Sequence, residues 1–376
     1  MKIVVACDKF KGSLTADEAG RIVRDALLTG HPDWQVINKP LADGGDGTAA
    51  VLHSACGGEW RSAPVCGPLP ATQLAARYLW LERDRLAIIE TAAASGLALL
   101  RPEQRDPLRT TTYGTGQLLA DAIRHGARRI LLGLGGSATN DGGVGLAQAL
   151  GWQFGDVAGN PIGFGGGELE RLHTLTPPPD WNPPPIEVLC DVTNQLCGEH
   201  GAAAVFGPQK GASPAVVQRL DAGLRHLGEL IRVQLGCEIE HVPGAGAAGG
   251  LGGGALAFLN ARLVPGIETV VRLTGLEEAM RDADWVITGE GRFDAQSLHG
   301  KVVSGVTTLA RRHRVPVAIL AGSVALPEAE WRTAGIETVV ALREPGMSLE
   351  TALAQSATLL ASAVRRLPLV ARAQIS

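Results

Sequence analysis

Aromatic residues make up only 4% of this 376-residue chain, too few for the aromatic-rich core of a β-sandwich. Basic residues do not outnumber acidic ones: the formal charge is -4, so the footprint of a nucleic-acid binder is missing. The six cysteines (Cys7, Cys56, Cys66, Cys190, Cys197 and Cys237) include no CxxC pair. A chain this long does not depend on disulfides, so they read as reduced thiols of a cytoplasmic protein without a zinc site. No apolar run reaches membrane length, and the run from Met1 to Ala6 meets charged residues too soon to be a signal peptide. Also absent are the GxxxxGK[ST] loop, the protein-kinase HRD and DFG set, the GxSxG elbow and HExxH. Phosphate chemistry on this chain needs another scaffold.

Glycine is abundant, with 49 residues spread along the chain. That suits an α/β protein with many strand-to-helix turns. The length exceeds what one core usually serves, so two domains are expected. At the N-terminus, Ile3–Ala6 reads as a buried parallel strand, and Thr15-Ala16-Asp17-Glu18 as a capping box opening a helix that stops at Gly30 and Pro32. Gln35–Lys39 is a second strand. After Gly57, the segments 60–65, 71–81 and 86–90 look like consecutive strands with no helix between them, the pattern of a mixed or antiparallel sheet. A helix over 115–125, strands over 129–134 and 186–190, and a helix from Pro214 to about Leu235 continue that second domain.

From Asp284 the alternation returns, with strands at 285–288, 315–320 and 337–342 and helices at 301–312 and 348–366. With the two N-terminal strands these make the five of a flavodoxin-like doubly wound parallel sheet. The expected architecture is a discontinuous flavodoxin-like domain, residues 1–60 and 262–376, carrying an inserted mixed α/β domain, residues 61–261, with a ligand cleft between them.

Ligands of doubly wound sheets bind beyond the carboxyl ends of the strands. Three segments expected there are strongly polar: Asp8-Lys9-Phe10-Lys11-Gly12-Ser13, Gly289–Ser297, and Gly322-Ser323. Lys11, Arg292 and Lys301 suit phosphate or carboxylate oxygens. Asp8, Glu290 and Asp294 suit Mg²⁺, or the positioning or deprotonation of a hydroxyl. In the inserted domain, Gly135-Gly136-Ser137-Ala138-Thr139-Asn140-Asp141-Gly142-Gly143 follows an apolar strand. Its glycines permit close backbone approach, Ser137 and Thr139 add donors, and a helix starting near Gly143 would aim its positive end at a phosphate. Asp191 stands at a strand end, the fixed, partly buried placement a general base needs.

These residues resemble the bacterial glycerate kinase family, the type with its own fold. The resemblance runs the whole chain and is carried by Asp8–Leu14, Ala42-Asp43-Gly44-Gly45-Asp46-Gly47-Thr48, Gly135–Gly143, Cys190-Asp191-Val192-Thr193-Asn194, Pro243–Gly250 and Thr288–Asp294. Many members have Glu where Asp46 stands, and some have Ser where Lys9 stands. The resemblance implies ATP-dependent, Mg²⁺-assisted phosphorylation of D-glycerate, with 2-phosphoglycerate favoured over 3-phosphoglycerate. The expected roles are Asp191 as base, with Lys11 and Asp8 also catalytic. Arg292, Ser13, Asn194 and Glu290 are expected on the substrate, and Gly135, Gly136, Ser137, Thr139, Asn140, Asp141 and Lys301 on nucleotide phosphates. Asp294 and Asp8 are expected on the metal. No membrane or nucleic acid is expected as partner, and a homo-oligomer stays open.

Two other classes compete. Gly244, Gly246 and Gly249 spell GxGxxG, with Glu268 nearly twenty residues on, as in an NAD(P)-dependent oxidoreductase. Glycines persist to Gly254 where that motif needs a helix, and Glu238–Val242 is a poor first strand. A non-catalytic anion-binding protein would use the same glycine loops without turnover.

Overall fold

The computed structural model describes residues 1–298 and 300–371. Its strands are β1 (Lys2–Val5), β2 (Gln35–Asn38), β3 (Glu59–Cys66), β4 (Gln73–Leu81), β5 (Leu86–Glu90), β6 (Arg129–Gly133), β7 (Gln153–Gly155), β8 (Thr174–Thr176), β9 (Ile186–Leu189), β10 (Arg262–Val264), β11 (Trp285–Phe293), β12 (Val317–Val324) and β13 (Thr338–Ala341). They divide between two compact units.

The first unit comprises Met1–Asp43, Ala50–Gly57 and the chain from Ile267 onward. Its sheet has the order β13-β12-β11-β1-β2, parallel throughout. Counting only this unit's strands, that is the flavodoxin-like order, with the topological switch between β1 and β11. The central strands are apolar because both faces are covered: Ile3, Val4, Val5, Val286 and Ile287 are wholly buried. The helix Ala16–Gly30 begins as its capping box dictates, with Thr15 Oγ1 accepting from the Glu18 amide at 3.2 Å and Glu18 Oε2 from the Thr15 amide at 2.9 Å. Its buried stripe, Ala19, Val23 and Leu27, packs into the core with Phe10, Leu320 and Leu360.

Three expectations need correction here. β11 and β12 run on as paired strands, Arg292 opposite Ser323 and Phe293 opposite Val324, so part of the polar segment after Thr288 is strand rather than loop. Its charged residues alternate with Gly291 and Phe293, a period-two signal. The C-terminal helix is two, Leu349–Ala354 and Ser356–Val364, separated at Gln355. Finally, helix forms where the glycine run was expected to forbid it, over Ala247–Leu259, with left-handed backbone at Ala248, Gly249 and Gly250. Those glycines serve close packing: a Cβ at Gly254 would lie 2.1 Å from the Gly142 carbonyl oxygen.

The second unit comprises Gly44–Ala49 and Gly58–Gly266. Its main sheet, β10-β9-β6-β5-β4-β3, is antiparallel across β3, β4 and β5 and parallel from β5 to β10; β7 and β8 form a separate ribbon. The helix Pro214–Leu235 sends Leu220, Leu224, Leu227 and Ile231 into a core with Trp152, Phe154 and Phe258. The boundaries differ from residues 60 and 262. β10 pairs with β9, which takes the unit on to Gly266. Gly44–Ala49 is held by packing of Gly44 on Leu189 and by Ala49 N–H donating to Glu90 Oε1 at 2.9 Å.

Candidate active site

The carboxyl ends of β1, β11, β12 and β13 surround a cavity of about 560 Å³ in the first unit. Asp8, Lys11 and Ser13 reach it from the segment after β1, and Glu290, Arg292 and Asp294 from the end of β11. Lys301 lines it just ahead of the helix Val302–His313, and Gly322 and Ser323 line it from β12. The Asp8 amide donates to the Gly289 carbonyl at 2.9 Å, which fixes the two main carboxylate carriers side by side. A tight turn shapes the first segment: Phe10 and Leu14 exchange backbone hydrogen bonds around Gly12, whose φ of +83° suits glycine. Ser13 Oγ donates to the Phe10 carbonyl at 3.1 Å within it.

Asp43 also lines the cavity, and no role was expected of it. The signal was available, since it follows β2 on the same edge of the sheet. Its charge matters: burial first, then Asp43, raises the Asp8 carboxyl up to about 7, against the lowering effect of the Lys9 amide that donates to Asp8 at 2.7 Å. Burial likewise raises Glu290 up to about 7, with Asp294 and Asp43 adding to the rise and Ser297 and Lys301 opposing it. Glu290 is only 8% exposed, and its Oε1 is enclosed without a hydrogen-bond partner. Cations line the same cavity. Arg292 Nε pairs with Asp294 Oδ2 at 3.2 Å on an exposed side chain, and Lys301 Nζ donates to Gln296 Oε1 at 3.3 Å.

The remaining expected residues belong to the second unit. Asp191 follows β9, and its Oδ1 accepts from the Gly266 amide at 2.8 Å. Asn194 Nδ2 donates to the His200 carbonyl at 2.8 Å, in a surface pocket with Thr193 and Glu199. The Gly135–Gly143 loop turns inward. Ser137, Thr139, Asn140 and Asp141 are at most 7% exposed, and Gly135 packs on the backbone of Gly45 and Asp46, with Gly136 beside Ala92.

The start of the helix Val144–Ala149 holds a carboxyl group of the protein itself, Asp141, whose pKa burial raises against the lowering effect of the donors around it. Asp141 Oδ2 accepts from the Thr112 amide at 2.8 Å, the Thr112 hydroxyl at 2.9 Å, and Thr111 Oγ1 and the Gly145 amide at 3.3 Å each. Oδ1 accepts from the Gly143 amide at 3.2 Å. A buried carboxylate that takes this many donors leaves none of them for an external phosphate. Lys210, 2% exposed, donates from Nζ to Ser137 Oγ at 3.0 Å and to the Thr139 carbonyl at 2.6 Å. Burial lowers its pKa from 10.5 to about 7, against the attraction of Asp141. Lys210 was not singled out from the sequence, because a lysine among glycines and a proline looks like surface loop.

All six cysteines are free thiols. Among the described residues no helix is long and apolar enough to cross a membrane.

A doubly wound sheet with acids and cations gathered at its switch point defines an α/β enzyme that handles small anionic ligands. Comparison with known proteins then gives the family: the glycerate kinase family model matches residues 3–372, and the chain belongs to that family. It is 45% identical to a glycerate kinase of Halalkalibacterium halodurans, over 98% of this chain and 97% of that one. It is 47% identical to the glycerate 2-kinase of Escherichia coli K12, over 86% of each. A crystal structure provisionally named glycerate kinase 2, from Salmonella typhimurium LT2, superposes with a TM-score of 0.83 at 42% identity, covering 97% of this chain and 96% of that one. The protein is therefore an enzyme, a phosphotransferase of this family.

Proposed function

We propose that this enzyme transfers the γ-phosphoryl group of ATP to D-glycerate, with 2-phosphoglycerate as product, in the cytoplasm, where its free thiols stay reduced. The observation that carries this reading is the cavity of the first unit, lined together by Asp8, Asp43, Glu290 and Asp294 and by Lys11, Arg292 and Lys301. Phosphoryl transfer is mainly positioning and charge stabilisation, so a site needs cations for the moving oxygens and a carboxylate for the attacking hydroxyl. Arg292 would hold the glycerate carboxylate and Lys11 the phosphoryl oxygens, with Lys301 on the nucleotide phosphates. Ser13 would support the substrate. Glu290 would take up the hydroxyl proton, a task suited to a carboxyl near neutrality.

The cavity's anionic oxygen donors suit a hard cation such as Mg²⁺. Among the described residues no three His, Cys, Asp or Glu side chains converge to hold a metal by themselves. Mg²⁺ keeps several waters and uses one or two carboxylates plus substrate phosphates. Asp8 and Asp294 would hold it, and when bound it would neutralise phosphate charge.

Asp191 is a competing base, because its Oδ1 is fixed in direction by the Gly266 amide. Coupled ADP release with MgATP and D-glycerate tests the activity, and passing the product directly to enolase tests the position phosphorylated. Turnover that needs phosphoglycerate mutase before enolase would make the product 3-phosphoglycerate, and absence of ADP release would refute the reading.

A further inference from the structure

The first unit's cavity has one wall that the chemistry above does not use. Leu342, just after β13, and Leu349, Leu353 and Leu359, from the two helices that follow, line it. Leu349 is 61% and Leu353 36% exposed, although both lie on a helix beside an apolar core. Residues four apart on a helix share a face, so the two leucines present one apolar strip to the cavity. Single exposed leucines are ordinary; a pair facing a charged cavity marks a ligand surface. The helix that carries them, Leu349–Ala354, is capped by Ser348 Oγ, which accepts from the Thr351 amide at 3.1 Å, and the break at Gln355 separates it from the next helix.

A three-carbon hydroxy acid has no use for leucines and fills little of about 560 Å³. The strip belongs to something larger, apolar at one end and anionic at the other. The same lining carries the cations Arg343, Lys301 and Lys11, and Leu353 lies beside Gly12, where a Cβ would meet its Cδ2 at 3.9 Å, so the apolar and cationic walls adjoin. An apolar wall joined to cations in one cavity suits a nucleotide, with its base on the leucines and its phosphates on the cations.

We propose that Leu349 and Leu353 form the nucleobase subsite, so that the nucleotide lies within the first unit and not on the Gly135–Gly143 loop. This inference rests on the kinase reading only for the choice of a nucleotide as ligand. The test is calorimetric titration of the full-length protein with MgADP and with inorganic pyrophosphate, which has the phosphates but no base. Leu349→Ser and Leu353→Ser, both at exposed positions, should each weaken ADP binding about tenfold, the loss expected when apolar contact is withdrawn. Pyrophosphate binding should stay within about twofold, and its retention also shows that the cavity is intact. ADP binding unchanged in both variants, or weakened only in parallel with pyrophosphate, would overturn the subsite. Binding is read without turnover, so the two ideas fail separately. Leucine-dependent ADP preference in a protein that does not phosphorylate glycerate would uphold the subsite and refute the kinase. Glycerate phosphorylation with leucine-independent ADP binding would do the reverse.

Discussion

The cavity of the first unit and the Gly135–Gly143 loop of the second are built from similar material: glycines, hydroxyls, acids and a lysine, gathered just beyond strand ends. They spend it differently. In the loop, Asp141 and Lys210 bond to the protein's own groups and nearly all of their surface is enclosed, while Thr139 Oγ1 and both side-chain amide atoms of Asn140 are buried without a partner. In the cavity, Asp8 and Glu290 are raised to about 7, by burial first and then by neighbouring carboxylates. Charged groups that take the protein's own donors and acceptors, as Asp141 and Lys210 do, serve the fold. Groups that repel one another are held in place by the rest of the fold and are available for chemistry.

The contrast predicts opposite responses to nearly isosteric substitutions. The largest effect should come from Glu290→Gln, which should lower kcat by about a hundredfold or more while leaving Tm unchanged or higher, because a repelled buried carboxylate is removed. Asp191→Asn discriminates between the two bases: a loss of that size there, with Glu290→Gln retaining turnover, would move the base to Asp191. Next, Arg292→Ala should raise the glycerate KM by about tenfold to a hundredfold, the value of a charge-assisted contact, with a much smaller change in the ATP KM. Equal changes in both would mean that Arg292 does not hold the glycerate carboxylate.

Asp141→Asn should leave the chemistry of folded molecules within a few-fold and lower stability by about 1–3 kcal/mol, since an amide nitrogen must then face an N–H or O–H donor. Urea denaturation measures this. A comparable effect is in pH. Lys210 titrates near 7 in the folded protein against its ordinary 10.5, so between those values the unfolded chain binds the extra proton and stability rises with pH. The urea midpoint of the wild type should therefore gain on that of Lys210→Met between pH 7 and pH 9. A flat difference would show that Lys210 keeps its proton.

The flavodoxin-like half was largely legible because buried parallel strands such as Ile3–Val5 are continuous apolar runs, and because the capping box at Thr15 marks its helix directly. The edge rule for such sheets then pointed to Asp8, Lys11, Glu290, Arg292, Asp294 and Lys301 before any coordinates. What escaped depends on three-dimensional environment. Nothing in the order of residues tells whether Asp141 faces solvent or five internal donors, since Thr111 and Thr112 lie some thirty positions away in the chain. Lys210 is further still from the loop it braces, and leucines on an amphipathic C-terminal helix look like core. Glycines at 252–254, which suggested loop, proved to be the close-packed face of a helix, a role set by the partner backbone at Gly142 and Gly244.

The most direct measurement is the rate of ADP release from MgATP and D-glycerate by Glu290→Gln and by Asp141→Asn, taken side by side at a temperature where both are folded. The account predicts turnover lost in the first and kept in the second; turnover kept in the first and lost in the second would place the chemistry on the glycine loop and contradict it.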